Sequence, residues 1–332
     1  GYQHMLKVLN HILTTAPEYN DTELVGFPIN AILDFPMITP AGLAAFVDPR
    51  VNAMLKKMLS AWAVFLDSPD SLYVLNTSSN GWMSPAARKA IKIDEFVHDP
   101  KKPHWGFKSW NDFFIRQFKP GRRPVSEPDN DKVIVGACES APFSISNNVN
   151  DRDTFWIKGQ PYSLEHMLQG RHVDCFEGGT VYQAFLSAKN YHRWHSPING
   201  VVRETALIEG TYYAEAASEG FDPAGPNNSQ GYIAHTATRA LVFIESDDPA
   251  IGTVCVMPVG MAEVSSNIVT VERNQPVRKG DQIGYFQFGG STHCLIFKKG
   301  AIAEFALQAI PQGAFGAKSG VVPVNSRIAL AN

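Results

Sequence analysis

Pro276-Val277-Arg278-Lys279-Gly280-Asp281-Gln282-Ile283-Gly284-Tyr285-Phe286-Gln287-Phe288-Gly289-Gly290-Ser291-Thr292 sets the fold class of this chain. Arg278 to Asp281 form a polar turn, and residues 282–288 carry the aromatic and β-branched side chains of a strand. Gly289-Gly290-Ser291-Thr292 then interrupts it, because paired glycines allow close backbone approaches that other residues forbid. Taken alone, those four residues suit a hairpin turn as well as a site of chemistry. The same texture begins near residue 132, with strands expected at 132–136, 201–207, 241–245, 253–259, 268–271, 282–288 and 294–298. Short strands at such spacing, broken by Gly, Pro and Asn, argue for a sandwich or barrel.

Upstream the periodicity changes. Val51, Met54, Leu55, Met58, Leu59, Trp62, Phe65 and Leu66 recur at three-and-four spacing, and Asp48-Pro49 supplies a cap and a pre-set first turn. Residues 6–13 suit a shorter helix, and Ser109 with Asp112 makes a capping pattern before Phe113 and Phe114. The expected class is α+β, with a helical N-terminal region over 1–125 and a β-rich catalytic domain over 126–332. Within that domain, Ser196-Pro197-Ile198-Asn199-Gly200-Val201-Val202 and the Val277-Arg278-Lys279-Gly280-Asp281 turn resemble the two halves of a lipoyl-type β-sandwich. Residues 217–230, rich in Gly, Pro, Asn and Ser, read as a mobile loop of the kind that closes over sites.

Composition narrows the function. The 332 residues carry a net charge of −3 with 18% charged side chains, so there is no basic excess for phosphate-rich partners. No apolar run approaches the roughly 18 residues of a membrane span, and no polybasic segment suggests a lipid anchor. Cys138, Cys175, Cys255 and Cys294 form no C-x-x-C pair, which speaks against a zinc ribbon. Free thiols fit a reducing compartment, and a cytoplasmic location is expected.

Three segments carry groups able to do chemistry. Tyr191-His192-Arg193-Trp194-His195-Ser196-Pro197 offers two histidines three apart, either as metal ligands lacking a third partner or as two proton carriers. Val135-Gly136-Ala137-Cys138-Glu139-Ser140 ends an apolar strand on a carboxylate, which is costly to bury unless paired. Ser291 is the third. Carboxylate, imidazole and hydroxyl together make a nucleophile, a base and an orienting group.

Asp112-Phe113-Phe114-Ile115-Arg116 with Phe118-Lys119-Pro120-Gly121-Arg122-Arg123-Pro124, the Tyr191 to Pro197 segment, and Gly284 to Thr292 resemble, in order, three signatures of the phosphatidylserine decarboxylase family. The resemblance implies a protein that makes its own cofactor. His195, oriented by Glu139, would deprotonate Ser291, whose Oγ attacks the Gly290 carbonyl. Cleavage between Gly290 and Ser291 would leave two chains that stay associated, with a pyruvoyl group derived from Ser291. That group would take the substrate amine as a Schiff base and draw off the electrons left by CO2, with His192 returning the proton. No metal is implied.

Two departures from the phospholipid enzymes stand out. Cys138-Glu139-Ser140 replaces their Ala-Asp-Gly, and Ala237-Thr238-Arg239 keeps only the Arg of their Asn-Glu-Arg. With Gly210-Thr211-Tyr212-Tyr213-Ala214 and Gly81-Trp82, these look like the soluble fungal branch that converts L-tryptophan to tryptamine. An aromatic amino acid is therefore the expected substrate, with Tyr212, Tyr213, Phe288 and Gly289 as substrate-binding candidates. A soluble phosphatidylserine decarboxylase making phosphatidylethanolamine is the alternative. A lipoyl-like carrier without chemistry and an H-x-x-H metal binder complete the readings; both would leave the chain whole.

Overall fold

The structure is a computed structural model that describes residues 1–21, 27–153, 161–216, 226–263, 266–287 and 291–332. The N-terminal region is helical: α1 (Tyr2–Ile12), α2 (Pro28–Met37), α3 (Pro40–Phe46), α4 (Pro49–Leu66), α5 (Pro85–Ile91) and α6 (Trp110–Phe114). Proline opens α2 to α5, where its missing N–H costs nothing. Asp48 caps α4 through the Arg50 N–H, and Ser109 caps α6 through the Asp112 N–H at 3.0 Å. Asp112 in turn accepts from the Lys108 N–H at 2.9 Å, closing the turn.

The remainder holds β1 (Val133–Val135), β2 (Ala141–Asn147), α7 (Leu164–Leu168), α8 (Val173–Phe176), β3 (Thr180–Leu186), β4 (Arg193–His195) and β5 (Gly200–Ile208). It continues through α9 (Gln230–Thr236), β6 (Arg239–Ser246), β7 (Thr253–Val259), β8 (Ser266–Val269), β9 (Pro276–Val277), β10 (Gln282–Gln287), β11 (Ser291–Phe297), β12 (Ile302–Phe305) and β13 (Arg327–Ala331). A seven-stranded antiparallel sheet runs in the order β2-β3-β11-β7-β6-β5-β9; smaller sheets run β4-β10-β8 and β1-β13-β12. Mixed helix and antiparallel sheet make the chain α+β.

The large sheet is covered on both faces. Leu295 and Phe297 of β11, with Tyr182, Ala184 and Leu186 of β3, face a core that extends into α4 and α6 through Trp62, Trp110 and Phe114. Cys294 and Ile296 face the other way, onto α7 and α9. A strand buried on both faces loses its alternation, which is why β3 reads poorly in sequence. Two boundaries move: the expected turn at Ser291-Thr292 is already strand, and the strand expected at 268–271 lies at Ser266–Val269. Of the expected 217–230 loop, 217–225 lie outside the described residues; Pro226–Ser229 form a 3-10 turn and Gln230 opens α9. Among the described residues, no helix is long and apolar enough to cross a membrane.

Candidate active site

Ser291 begins β11 and pairs with Leu186 at the end of β3, so its side chain shares the face that looks onto the larger core. It is fully buried, and its Oγ has no hydrogen-bond partner among the described residues. Phe288, Gly289 and Gly290, expected to flank the cleavage point and line the pocket, lie outside the described residues. The next residue is tightly held. Thr292 Oγ1 donates to the Ala184 carbonyl at 3.1 Å and accepts from Gln183 Nε2 at 3.2 Å, while Tyr162 donates to Gln183 Oε1 at 2.6 Å.

His192 directly precedes β4 and His195 ends it, and residues three apart along extended backbone face opposite sides. His192 and Trp194 point inward. The His192 ring is fully buried, stacked 4.2 Å from Phe114 and edge-on to Phe286 at 6.5 Å. Its carbonyl accepts from the Phe286 N–H at 2.9 Å, which ties it to the strand leading toward Ser291. Both His192 and Ser291 thus border the larger core.

His195 lies one register step past Trp194, opposite Gln282, on the outward face of β4. Its Nδ1 is 2.6 Å from the Gly280 carbonyl and its Nε2 is 2.8 Å from the Tyr191 hydroxyl. A carbonyl can only accept, so Nδ1 carries the proton and Nε2 accepts from Tyr191. Burial lowers the His195 pKa, against the opposing hydrogen bond to Gly280. A cavity of about 240 Å³ opens beside it, lined by Tyr191, Arg123 and Lys119.

Glu139 is not brought to His195. Arg123 holds it in a fork, with Nε 2.9 Å from Oε2 and Nη2 2.6 Å from Oε1, and the Val324 N–H adds a third bond at 2.9 Å. Arg123 also reaches Glu95 at 2.8 Å and lies 4.1 Å over Phe118. The side chains of Arg123 and Glu139 are only 15% and 12% exposed. In this arrangement Glu139 fastens the Arg122-Arg123-Pro124 segment to the catalytic region, and Tyr191 and Gly280 orient His195.

Tyr212 and Tyr213 part company as well. Tyr212 borders clefts between α4 and β5, whereas Tyr213 is fully buried. Its hydroxyl is pushed well above the usual range by burial and then by the charge of Glu263. Arg239, also buried, donates to the carbonyls of Met167, Ala237 and His166 at 2.8, 2.7 and 2.5 Å, with no carboxylate among these partners.

Glu263 is a residue that sequence reasoning passed over. It follows β7 at the end of the sheet where β11 begins, and it is fully buried. Its Oε1 accepts from the Ile29 and Asn30 N–H groups at 2.6 and 2.8 Å, capping α2 from across the molecule. Desolvation raises its carboxyl to about 8, against the pull of those N–H donors. The available signal was an acid inside the apolar run Met261-Ala262-Glu263-Val264. Among the described residues, no cluster of His, Cys, Asp and Glu is placed to hold a metal. Cys138, Cys255 and Cys294 are buried free thiols, and Cys175 is exposed.

Comparison with known proteins joins both halves to one family. The phosphatidylserine decarboxylase family model matches residues 110–318, and a second model described as phosphatidylserine decarboxylase matches 1–91. Decarboxylase iboD of Amanita muscaria is 40% identical over 84% of this chain and 86% of its own length. L-tryptophan decarboxylase of Psilocybe cubensis is 36% identical over 92% of this chain and 74% of its own. Phosphatidylserine decarboxylase proenzyme 3 of Schizosaccharomyces pombe is 33% identical over 65% of this chain and 22% of its own. The chain belongs to the phosphatidylserine decarboxylase family, whose members are pyruvoyl-dependent carboxy-lyases, and it is a decarboxylase.

Proposed function

We propose that the enzyme cleaves itself between Gly290 and Ser291 and decarboxylates a free aromatic L-amino acid, with L-tryptophan to tryptamine as the leading case. The observation that carries the substrate is the similarity to an L-tryptophan decarboxylase across 92% of the chain, helical region included. Similarity to a phosphatidylserine decarboxylase proenzyme, 33% identical over 65% of the chain, keeps phosphatidylserine as the second reading.

Ser291 fits the residue that becomes the pyruvoyl group. Its buried Oγ has no competing hydrogen bond among the described residues, and a hydroxyl needs only a nearby base to become a nucleophile. Once formed, such a group supplies an electrophilic carbonyl and an electron sink. The protein's part is to move protons and keep water out. His192, buried between Phe114 and Phe286 on the core shared with Ser291, is assigned those proton transfers. His195 has both nitrogens engaged, so its assigned part is to fix the Gly280 turn that feeds β10. A role for His195 as the base at Ser291, as the family resemblance has it, requires Tyr191 to release Nε2 first.

The test is product analysis with purified protein, offered L-tryptophan, L-phenylalanine, L-tyrosine and phosphatidylserine vesicles separately. An aromatic amine supports the proposal; phosphatidylethanolamine as sole product replaces it with the second reading. His192→Ala and His195→Ala separate the histidines. Loss of amine formation in the first, with cleavage and turnover persisting in the second, supports the assignment. Failure of His195→Ala to cleave, with a normal melting temperature, returns the base to His195.

A further inference from the structure

A cavity of about 180 Å³ lies between α4, the end of β5 and β8. Leu59, Leu207, Ile208 and Ile268 give it apolar walls, and Tyr212 contributes an aromatic one. Lys56 and Glu209 also line it and form an ion pair with each other, both largely exposed. Asn267 lines it too, and its side chain is unusual. Asn267 is 7% exposed, yet among the described residues neither Nδ2 nor Oδ1 has a hydrogen-bond partner. A buried amide with both halves unpaired is costly, and each such group in a native protein calls for an explanation, such as a functional role or a bound water or ion.

Its position ties the cavity to the reaction centre. Asn267 stands directly opposite Phe286 in the β8–β10 pairing and so shares its sheet face. Phe286 is the ring that packs edge-on against His192. The exposed Lys56–Glu209 pair lines the cavity, and Asn267 in its wall neighbours the Phe286 ring that packs on His192.

We infer that this cavity receives a free α-amino acid, with the Asn267 amide engaging its ammonium and carboxylate and the apolar walls taking its side chain. This rests on the reading of the enzyme as an amino-acid decarboxylase. An amide is one donor group and one acceptor; a zwitterionic head supplies the complement to each. The walls suit an apolar or aromatic side chain. The cavity by itself is below the roughly 300–1,000 Å³ of drug-sized pockets, which suits a small ligand. The exposed Lys56–Glu209 pair is weakly held and can exchange partners with the entering zwitterion.

Calorimetric titration of L-tryptophan into the full-length Ser291→Ala protein reads this site without turnover. Saturable binding is expected, weakened at least about tenfold by Asn267→Leu or Asn267→Asp, the loss expected for a charged hydrogen bond. In the processed enzyme the same substitutions should raise KM more than they lower kcat. Leu207→Trp, which blocks the cavity from its exposed side, should weaken binding equally and serves if either Asn267 variant melts abnormally. Undiminished tryptophan binding in folded Asn267→Leu and Leu207→Trp proteins would overturn the inference. If the processed enzyme makes no amine while Ser291→Ala still binds tryptophan through Asn267, the site stands and the substrate reading falls.

Discussion

Arg123 and Glu139 show how much depends on which neighbour a buried charge finds. The sequence offered a carboxylate at the end of an apolar strand and invited a histidine partner; the fold supplied a guanidinium. Chain spacing gave no hint of this, because Arg123 arrives from a segment whose role resemblance alone did not define. Removing one partner of a buried pair is far worse than removing both. Arg123→Leu should therefore cost about 3 kcal/mol, and Arg123→Leu with Glu139→Leu should recover much of it. Urea unfolding in the Ser291→Ala background, where the chain is whole, measures both. That background is itself a prediction: Ser291→Ala should remain one 36.5 kDa chain by mass spectrometry, while the parent separates into residues 1–290 and 291–332.

Elements were legible where one face is apolar and the ends carry caps. α4, with Asp48-Pro49 and its eight-residue stripe, sits as expected, as does α6 behind Ser109. Strands β5, β6, β7 and β10 fall within a few residues of their expected places. β2 escaped because Pro142 sits beside a bulge in it, and β12 and β13 because four or five residues carry little pattern. The separation of His192 from His195 was not legible in H-x-x-H, whose two histidines suit metal ligation and separate proton transfer alike until the backbone around β4 is known to be extended. Two element-level outcomes follow. Ser109→Ala should destabilise by about 1 kcal/mol, the usual worth of such a cap. Gly284→Ala should cost about 1–3 kcal/mol by overpacking, since a Cβ there would come 2.4 Å from the Trp194 ring. Thermal melts of the corresponding Ser291→Ala double mutants read both.

For the whole molecule, Glu263 is one of the ties between the helical region and the sheet. Its carboxyl titrates near 8 in the fold, by burial, against an ordinary value of 4.5. The folded state therefore holds this proton more tightly than the unfolded chain does. Its stabilising effect is complete below about pH 4.5 and is lost as pH rises through about 8. Glu263→Gln, a permanently neutral copy, should flatten the decline of melting temperature between those limits. An unchanged slope would show that other groups govern it. The N-terminal segment that Glu263 caps shares the larger core, which runs through both regions without a break.

One consequence of the sheet order concerns life after cleavage. β11, at the start of the 291–332 piece, lies between β3 and β7, and β13 lies between β1 and β12. The proposed scission at Gly290 would leave the short piece in two sheets, with β11 between two strands of the long piece and β13 between β1 of the long piece and β12 of its own. Leaving would expose fully buried strand β11 and open a seam down the large sheet, so the nicked enzyme should hold together in dilution as firmly as an uncut chain. Its history would show only on denaturation. What folded first as one molecule would have to reassemble as two, in a step that slows with dilution, and the original connection would be gone.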